Sequence, residues 1–386
     1  VTAPLLSDAG IVQFGTSRFL LGHVAAFVHA SRNNGYTRDR ILVVQTSPRE
    51  AGKQKARDLH AHRHYPLVIR GRHHGQDIDT CETVTSLAGC LIADEQWPEL
   101  QRHFVENARF VVSNSGDSGY RIDDDSALSA IPQSFPAKLT KLLYARYTSG
   151  HDGLTMLPCE LISHNGERLK TLVLKLAQRD YADTHFSDWL TTRCVWANTL
   201  VDRIVSAALE PVGAVAEPYA LWTIEDQPGL KLPCQHPDVQ RVESLAPYEM
   251  RKLHILNLAH SYLVHLWKSE TYSHIRFVRE AMATPGWVEE LCQVLDSEVL
   301  PSLAKHIEPT SLEAYRDATL ERFANPYLDH ALQDIAQHHA MKCERRLRPV
   351  VEMARRQGIA TPRLDDAISS SQSTTHSRYP LPNDRQ

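Results

Sequence analysis

The hydrophobic positions of this 386-residue chain follow two different rhythms, and the change falls near residues 237–247. Before it, short continuous apolar runs alternate with stretches at helical spacing. Residues 10–14 (GIVQF), 41–46 (ILVVQT), 66–69 (PLVI), 109–113 (RFVVS), 154–159 (LTMLPC), 194–197 (CVWA) and 218–224 (PYALWTI) read as strands. A run that is apolar on both faces belongs in a sheet covered on both sides. Between these runs, residues 17–31, 48–59, 94–106, 135–146 and 165–177 read as helices, and a polar loop is expected after Ile69. Strand and helix in alternation predict a doubly wound parallel sheet of the α/β class, filling residues 1–240.

Beyond that point the sequence is almost wholly helical as far as Gly358, with the longest helices expected at 248–268, 288–307, 311–323 and 327–356. They predict a mostly α-helical domain over residues 241–365. Residues 366–386 are rich in Ser, Thr, Pro and Asp and poor in apolar residues, the composition of a loosely ordered tail. The cleft between two such halves is the expected ligand site.

Composition narrows the class without choosing a function. Hydrophobic residues make up 42% and charged residues 23%, and the net charge is −4, so there is no basic excess to bind nucleic acid or anionic membranes. Seven dispersed cysteines without a CxxC read as reduced thiols. The first 30 residues lack a signal-peptide pattern and no apolar run approaches the ~20 residues of a membrane span. A soluble cytoplasmic protein is expected, with a monomer as the default state.

The first strand ends in Phe14-Gly15-Thr16-Ser17-Arg18-Phe19, where a helix begins. In a nucleotide-binding βαβ unit this turn is kept small so that backbone N–H groups can approach a pyrophosphate. The usual GxGxxG is absent, since Ser17 and Leu20 stand where glycines would. An ordinary strand-to-helix turn with Ser17 as N-cap fits equally well. At the end of the second strand, Gln45 occupies the place of the acidic residue that binds an adenosine ribose, and Arg49 follows. Ser113 and Asn114 end a later strand, where a nicotinamide ribose would lie.

Residues 248–268 (YEMRKLHILNLAHSYLVHLWK) place Lys252, Asn257 and His260 within roughly 140° of one helix face. A partly desolvated lysine is a general acid/base, an asparagine amide can donate to a developing alkoxide, and a histidine can hold a hydroxyl. A plain amphipathic helix with a solvated Lys252 gives the same spacing.

Taken together, IVQFGTSRFL (11–20), PCELISHNG (158–166), NTLVDRI (198–204), KLHILNLAHS (252–261) and ERFANP (321–326) resemble the long-chain mannitol dehydrogenase family. The resemblance implies a Rossmann-like N-terminal domain, NAD with NADP as an alternative, no metal, and a small polyol or sugar-acid substrate. It implies that Lys252 is the acid/base and that Asn165 and Asn257 polarise the substrate oxygen. His260 would bind substrate, and Val201 and Asp202 would lie near nicotinamide and substrate. Cys159-Glu160-Leu161 departs from the Cys-Asp-Asn of the polyol 2-dehydrogenases. With SNSGDSGY (113–120) and SFPAKLTKLLYARY (134–147), it is more similar to the tagaturonate reductase (altronate oxidoreductase) branch. A mannitol- or arabinitol-type dehydrogenase and a fructuronate reductase are the alternatives. A sugar acid needs cations for its carboxylate, and Arg322, Lys342, Arg345, Arg346 and Arg348 are candidates.

Two rivals belong to other classes. His60, His62, His64, His73 and His74 cluster in a polar stretch, and HxH spacing suits zinc, although no Cys or carboxylate joins them at the usual interval. A non-catalytic binding module would leave the coincidence of Lys252, Asn257 and His260 without a reason.

Overall fold

A computed structural model describes residues 8–115, 117–269 and 274–376. The chain divides into two compact units. The first comprises the residues up to Ile69 together with Asp79–Leu245, and the second Arg70–Ile78 with the residues from Ala246 onward.

The first unit is built on a six-stranded sheet of β1 (Ile11–Phe14), β2 (Ile41–Gln45), β5 (Leu87–Ile92), β6 (Phe110–Ser113), β7 (Thr155–Pro158) and β8 (Val195–Trp196). Their order is β5-β2-β1-β6-β7-β8, and every recorded pairing is parallel. The order reverses direction at β1, so the C-terminal ends of β1, β2 and β6 flank the switch point where such sheets hold ligands. Alternate residues of each strand feed opposite layers. Ile11, Val43 and Val112 enter one buried cluster, and Val12, Phe14, Val44 and Val111 enter the other. This explains why the strands read as unbroken apolar runs.

Two smaller sheets take in the expected strands at 66–69 and 218–224, as Tyr65–His73 and Leu221–Glu225, but their other strands were not expected. One joins β3 (Tyr65–His73) and β4 (Gln76–Val84) to β10 (Val205–Ala208) and β11 (Ala214–Ala216). The other joins β9 (Thr199–Asp202), β12 (Leu221–Glu225) and β13 (Val239–Val242). The expected polar loop after Ile69 is therefore a hairpin, whose second strand, QDIDTCETV, is exposed along most of its length and carries no apolar signal. The helix expected over 17–31 is two helices, α1 (Arg18–Gly22) and α2 (Val24–Asn33). The break falls at His23, whose buried ring donates from Nε2 to the Leu221 carbonyl at 3.0 Å.

The second unit is helical. The expected helix at 248–268 runs from Ala246 to Ser269, but its middle, Lys252–Asn257, widens into a π-helical turn. The helix expected at 288–307 runs from Trp287 to Leu303 with a π-helical turn at Leu295–Val299, the segment at 327–356 is broken into shorter helices, and Pro309–Phe323 is one continuous helix. The tail expected to be loose is instead helical over Pro362–His376, with Leu364, Ala367 and Ile368 buried. Residues 377–386 lie outside the described residues. No described helix is long and apolar enough to cross a membrane.

Candidate active site

In the sheet unit, the turn after β1 is set by a close approach of two backbones. Gly15 has φ +121°, and its N–H donates to the Val44 carbonyl at 3.0 Å. A Cβ here would lie 2.9 Å from the Asn114 carbonyl oxygen, so only glycine fits. Ser17 caps α1 by accepting from the Leu20 N–H at 3.3 Å. Helix α1 is only five residues long, so the turn offers small residues and backbone donors rather than a long helix dipole.

Two residues of the turn serve the fold. Arg18 donates from Nε to the Val205 carbonyl at 3.1 Å, and Phe19 stacks on His23 with ring centres 4.8 Å apart. Gln45, by contrast, keeps an unspent group. It is 2% exposed, its Nε2 donates to the Ser47 carbonyl, and its Oε1 has no partner among the described residues. A Cβ at Gly52 would come within 2.8 Å of Gln45 Nε2, so that glycine makes room for the side chain. A buried amide oxygen without a partner at the end of β2 is able to accept a hydrogen bond.

The ends of β6 and β7 are organised by Glu160, which sequence reasoning singled out only as a departure. This buried carboxylate accepts from Ser113 Oγ (3.0 Å), the Ser115 N–H (2.9 Å), Ser115 Oγ (3.0 Å) and Tyr120 Oη (3.2 Å). Burial, then the charge and hydrogen bond of Glu160, push the Tyr120 phenol up, so it remains a donor. Asn114 donates from Nδ2 to the Cys159 carbonyl at 2.8 Å. Ser113 and Asn114 thus shape the rim through these bonds. Two of the three stretches that set this chain apart from the polyol pattern, 159–161 and 113–120, are thus hydrogen-bonding partners of one another.

Asn165 is placed differently from the role the resemblance implies. It is 1% exposed, and its Nδ2 lies within hydrogen-bond reach of the carbonyls of Pro158 (3.0 Å), Glu160 (3.1 Å) and Thr199 (2.9 Å). Its Oδ1 accepts the Thr199 N–H at 2.9 Å. The amide is spent on backbone, tying the end of β7 to the start of β9, and no donor remains for a substrate. Val201 and Asp202 end β9, both buried. Next to them Arg203 donates to the Gly22 carbonyl (2.8 Å) and twice to the Glu217 carbonyl (3.0 and 2.9 Å). Burial lowers its pKa to about 10.

In the helical unit, the wide turn begins at Lys252 and ends at Asn257, both half-buried. An added residue per turn rotates Lys252 relative to the arc a regular helix predicts, and such turns often mark functional positions. Among the described residues the Asn257 side-chain amide makes no hydrogen bond, while its carbonyl accepts from Arg346 at 3.1 Å. Arg346 also donates to Ser261 Oγ at 2.9 Å, and His254 Nδ1 donates to the Arg346 carbonyl at 2.9 Å.

His260 lies at the centre of this group, 7% exposed. Its ring packs 4.2 Å from the Phe323 ring and 4.7 Å from that of His330, and its Nε2 has no partner among the described residues. Burial first, then the charges of His330, Arg346, Arg322 and Lys342, hold its pKa well below the usual histidine value. The imidazole is therefore neutral. Arg322 is itself buried, and Lys342 Nζ donates to the Ile335 carbonyl at 2.7 Å. Two of the five candidate cations drop out: Arg348 is paired in bidentate fashion with Glu344, and Arg345 is exposed. Asp334 is the carboxylate that acts on His330.

A cavity of about 780 Å³ lies beside β8, lined by Lys170, Arg193, Lys231, Glu225, Asp226 and others of both signs. None of the candidate residues lines it. Of the histidine-rich stretch, His60 Nδ1 donates to the Cys90 carbonyl at 3.0 Å and His73 packs on His74. Among the described residues no group of three His, Cys, Asp or Glu is arranged to hold a metal.

A parallel sheet with a glycine turn at its switch point, and a helical unit that carries Lys252, Asn257 and His260 along one helix, fit the class of two-domain dehydrogenases. The chain belongs to the mannitol dehydrogenase family: residues 9–233 match its Rossmann domain and residues 244–372 its C-terminal domain. Among named relatives it is similar to altronate oxidoreductase of Bacillus subtilis, at 31% identity over 93% of this chain and 78% of the relative. It is also similar to altronate oxidoreductase of Yersinia pestis, at 32% with the same coverage. Among solved structures, a substrate-free D-sorbitol dehydrogenase superposes with TM-score 0.84 at 22% identity, over 95% of this chain and 81% of that one. A Pseudomonas fluorescens mannitol 2-dehydrogenase, solved with NAD and D-mannitol, gives 0.74 at 22%, over 95% and 79%. These two likenesses establish the shared fold.

Proposed function

We propose that the chain is a nicotinamide-dependent oxidoreductase that interconverts a secondary alcohol and a ketone on a sugar acid, in the manner of a tagaturonate reductase. The observation that carries the sugar-acid reading is the group of Arg322, Lys342 and Arg346 around a neutral His260. Three cations beside a buried imidazole suit an anionic substrate better than a neutral polyol. The relatives named altronate oxidoreductase support the same class.

The sheet unit fits a dinucleotide by its glycine turn and by the unpartnered Gln45 Oε1, a neutral acceptor for a ribose hydroxyl. NAD is the expected cofactor. NADP is the second choice, because no carboxylate ends β2 to repel a 2′-phosphate. When bound, the nicotinamide supplies or accepts the hydride.

The remaining work falls to the chain's own groups. Lys252 gives the proton to the substrate oxygen in reduction and removes it in oxidation. Asn257 donates its free amide to that oxygen as charge develops, and neutral His260 holds a neighbouring hydroxyl through Nε2. Arg322 and Arg346 take the carboxylate, with Lys342 beside them. Asn165 acts through the backbone it braces, and Glu160 shapes the rim at Ser113 and Asn114. Val201 and Asp202 lie at the end of β9, where the nicotinamide half would meet the sheet.

Proton transfer of this kind is worth ~10²–10⁴-fold. Lys252→Ala should lose at least ~10² in turnover while NADH titration by fluorescence gives the same affinity. Near-normal turnover in that variant would remove Lys252 from the mechanism.

A further inference from the structure

The histidine-rich stretch that the proposed mechanism leaves unused ends in a built contact. β3 and β4 are joined by His74 and Gly75, with φ +51° and +75°. Two successive left-handed residues make a tight hairpin turn whose N–H groups both point outward. Histidine is among the non-glycine residues that take this conformation most readily, and an acceptor outside the turn can steady it further. Residues Arg70–Ile78 belong to the helical unit, although the strands that carry them start and end in the sheet unit.

That acceptor is Glu321. Its carboxylate accepts the His74 N–H at 3.1 Å and the Gly75 N–H at 2.6 Å, one on each oxygen. Glu321 lies in the last turn of the helix Pro309–Phe323, where a negative charge opposes the helix dipole. A carboxylate placed there gains from outside donors what it loses to the helix. Four residues on, Asn325 donates from Nδ2 to the Arg70 carbonyl at 3.1 Å, and the Arg70 guanidinium lies 5.6 Å from the Tyr327 ring centre. The hairpin tip therefore grips the chain on both sides of Arg322 and Phe323. Those are the residues that bear on His260, one by its charge and one by a ring contact at 4.2 Å.

We infer that Glu321 is a positioning residue for the substrate half of the site. By receiving the two N–H groups of the hairpin turn, it fixes the last helical turn so that Arg322 and Phe323 stay in place against His260. The inference rests on the proposed role of Arg322 and His260 in holding substrate.

The test is Glu321→Ala in the full chain, read in two ways. Steady-state kinetics with a hexulosonate should show KM raised about tenfold, with kcat within twofold of the parent and NADH affinity unchanged. Hydrogen exchange, which needs no turnover, should show lost protection at residues 72–76 and also at 258–262 and 319–325. His74→Gly keeps both N–H donors and eases the turn, so its KM should equal the parent's. Glu321→Gln, which retains one acceptor, should fall between and serves if the alanine variant does not fold. Protection lost at 72–76 alone, with KM unchanged, would overturn the inference. If the parent protein reduces no hexulosonate, the functional proposal fails. The exchange pattern at 258–262 then still decides whether the clamp positions His260.

Discussion

Asn165→Ala separates bracing from catalysis. The side chain is 1% exposed and spends its whole amide on the backbone of Pro158, Glu160 and Thr199. Two of the carbonyls keep other donors after truncation: that of Pro158 retains Thr199 Oγ1 at 2.5 Å, and that of Glu160 retains the Ile162 N–H at 2.8 Å. The Thr199 N–H loses its Asn165 partner inside the fold. A buried donor left unsatisfied costs about 1–3 kcal/mol, and the lost bonds with the small void add about 1 more. The loss is then about 2–4 kcal/mol, which for a domain of this size lowers the melting midpoint by roughly 5–15 °C. Asn165→Asp should do worse, since a carboxylate would face three carbonyl oxygens. Differential scanning calorimetry of both variants, with turnover and NADH affinity measured well below the new midpoint, checks the reasoning. A midpoint within about 2 °C of the parent, with turnover down a hundredfold, would show that Asn165 acts on the substrate directly.

Acid should destabilise the fold. His260 is held well below its ordinary pKa and His339 at about 4, both chiefly by burial, while in the unfolded chain each protonates near 6.5. Their contribution is complete above about pH 6.5 and is lost as pH falls towards the folded values. At pH 5.5 His339 alone should remove about 1 kcal/mol, with His260 acting in the same direction, readable as a lower urea midpoint than at pH 7.5. A flat profile over that interval would contradict the burial assigned to them. Gly15→Ala puts a Cβ 2.9 Å from the Asn114 carbonyl oxygen at a φ of +121°. It should weaken NADH binding more than tenfold by fluorescence titration, and unchanged affinity would place the cofactor turn elsewhere.

Most of the central sheet was legible because its strands are buried on both faces, so Ile41–Gln45 and Phe110–Ser113 carry a signal that needs no partner, although β5 (Leu87–Ile92), equally buried, was not among the expected strands. The hairpin strand Gln76–Val84 was not, because its residues are mostly exposed and its pairing is decided by contacts far away in sequence. The break at His23 escaped for the same reason, as the ring's partner is Leu221. For the candidate site, residue types at helical spacing brought out Lys252, Asn257 and His260, but spacing assumed a regular helix and missed the wide turn. Arg322 and Arg346 could be named as cations from the sequence. That Arg348 is neutralised by Glu344 and Arg345 is exposed needed the packed structure. Asn165 illustrates the limit most plainly: a polar residue in a shared motif can be a ligand or a brace, and the backbone hydrogen bonds that favour the brace are not written in the sequence.

The substrate claim is tested most directly by reduction of matched substrates, hexulosonates against the ketohexoses of the same stereochemistry, with NADH and with NADPH. Charge-assisted bonds from Arg322 and Arg346 to a carboxylate, worth about 1.5–3 kcal/mol, predict a kcat/KM about 10–100-fold higher for the hexulosonate. A ketose or pentulose reduced as well as or better than every hexulosonate would contradict the account.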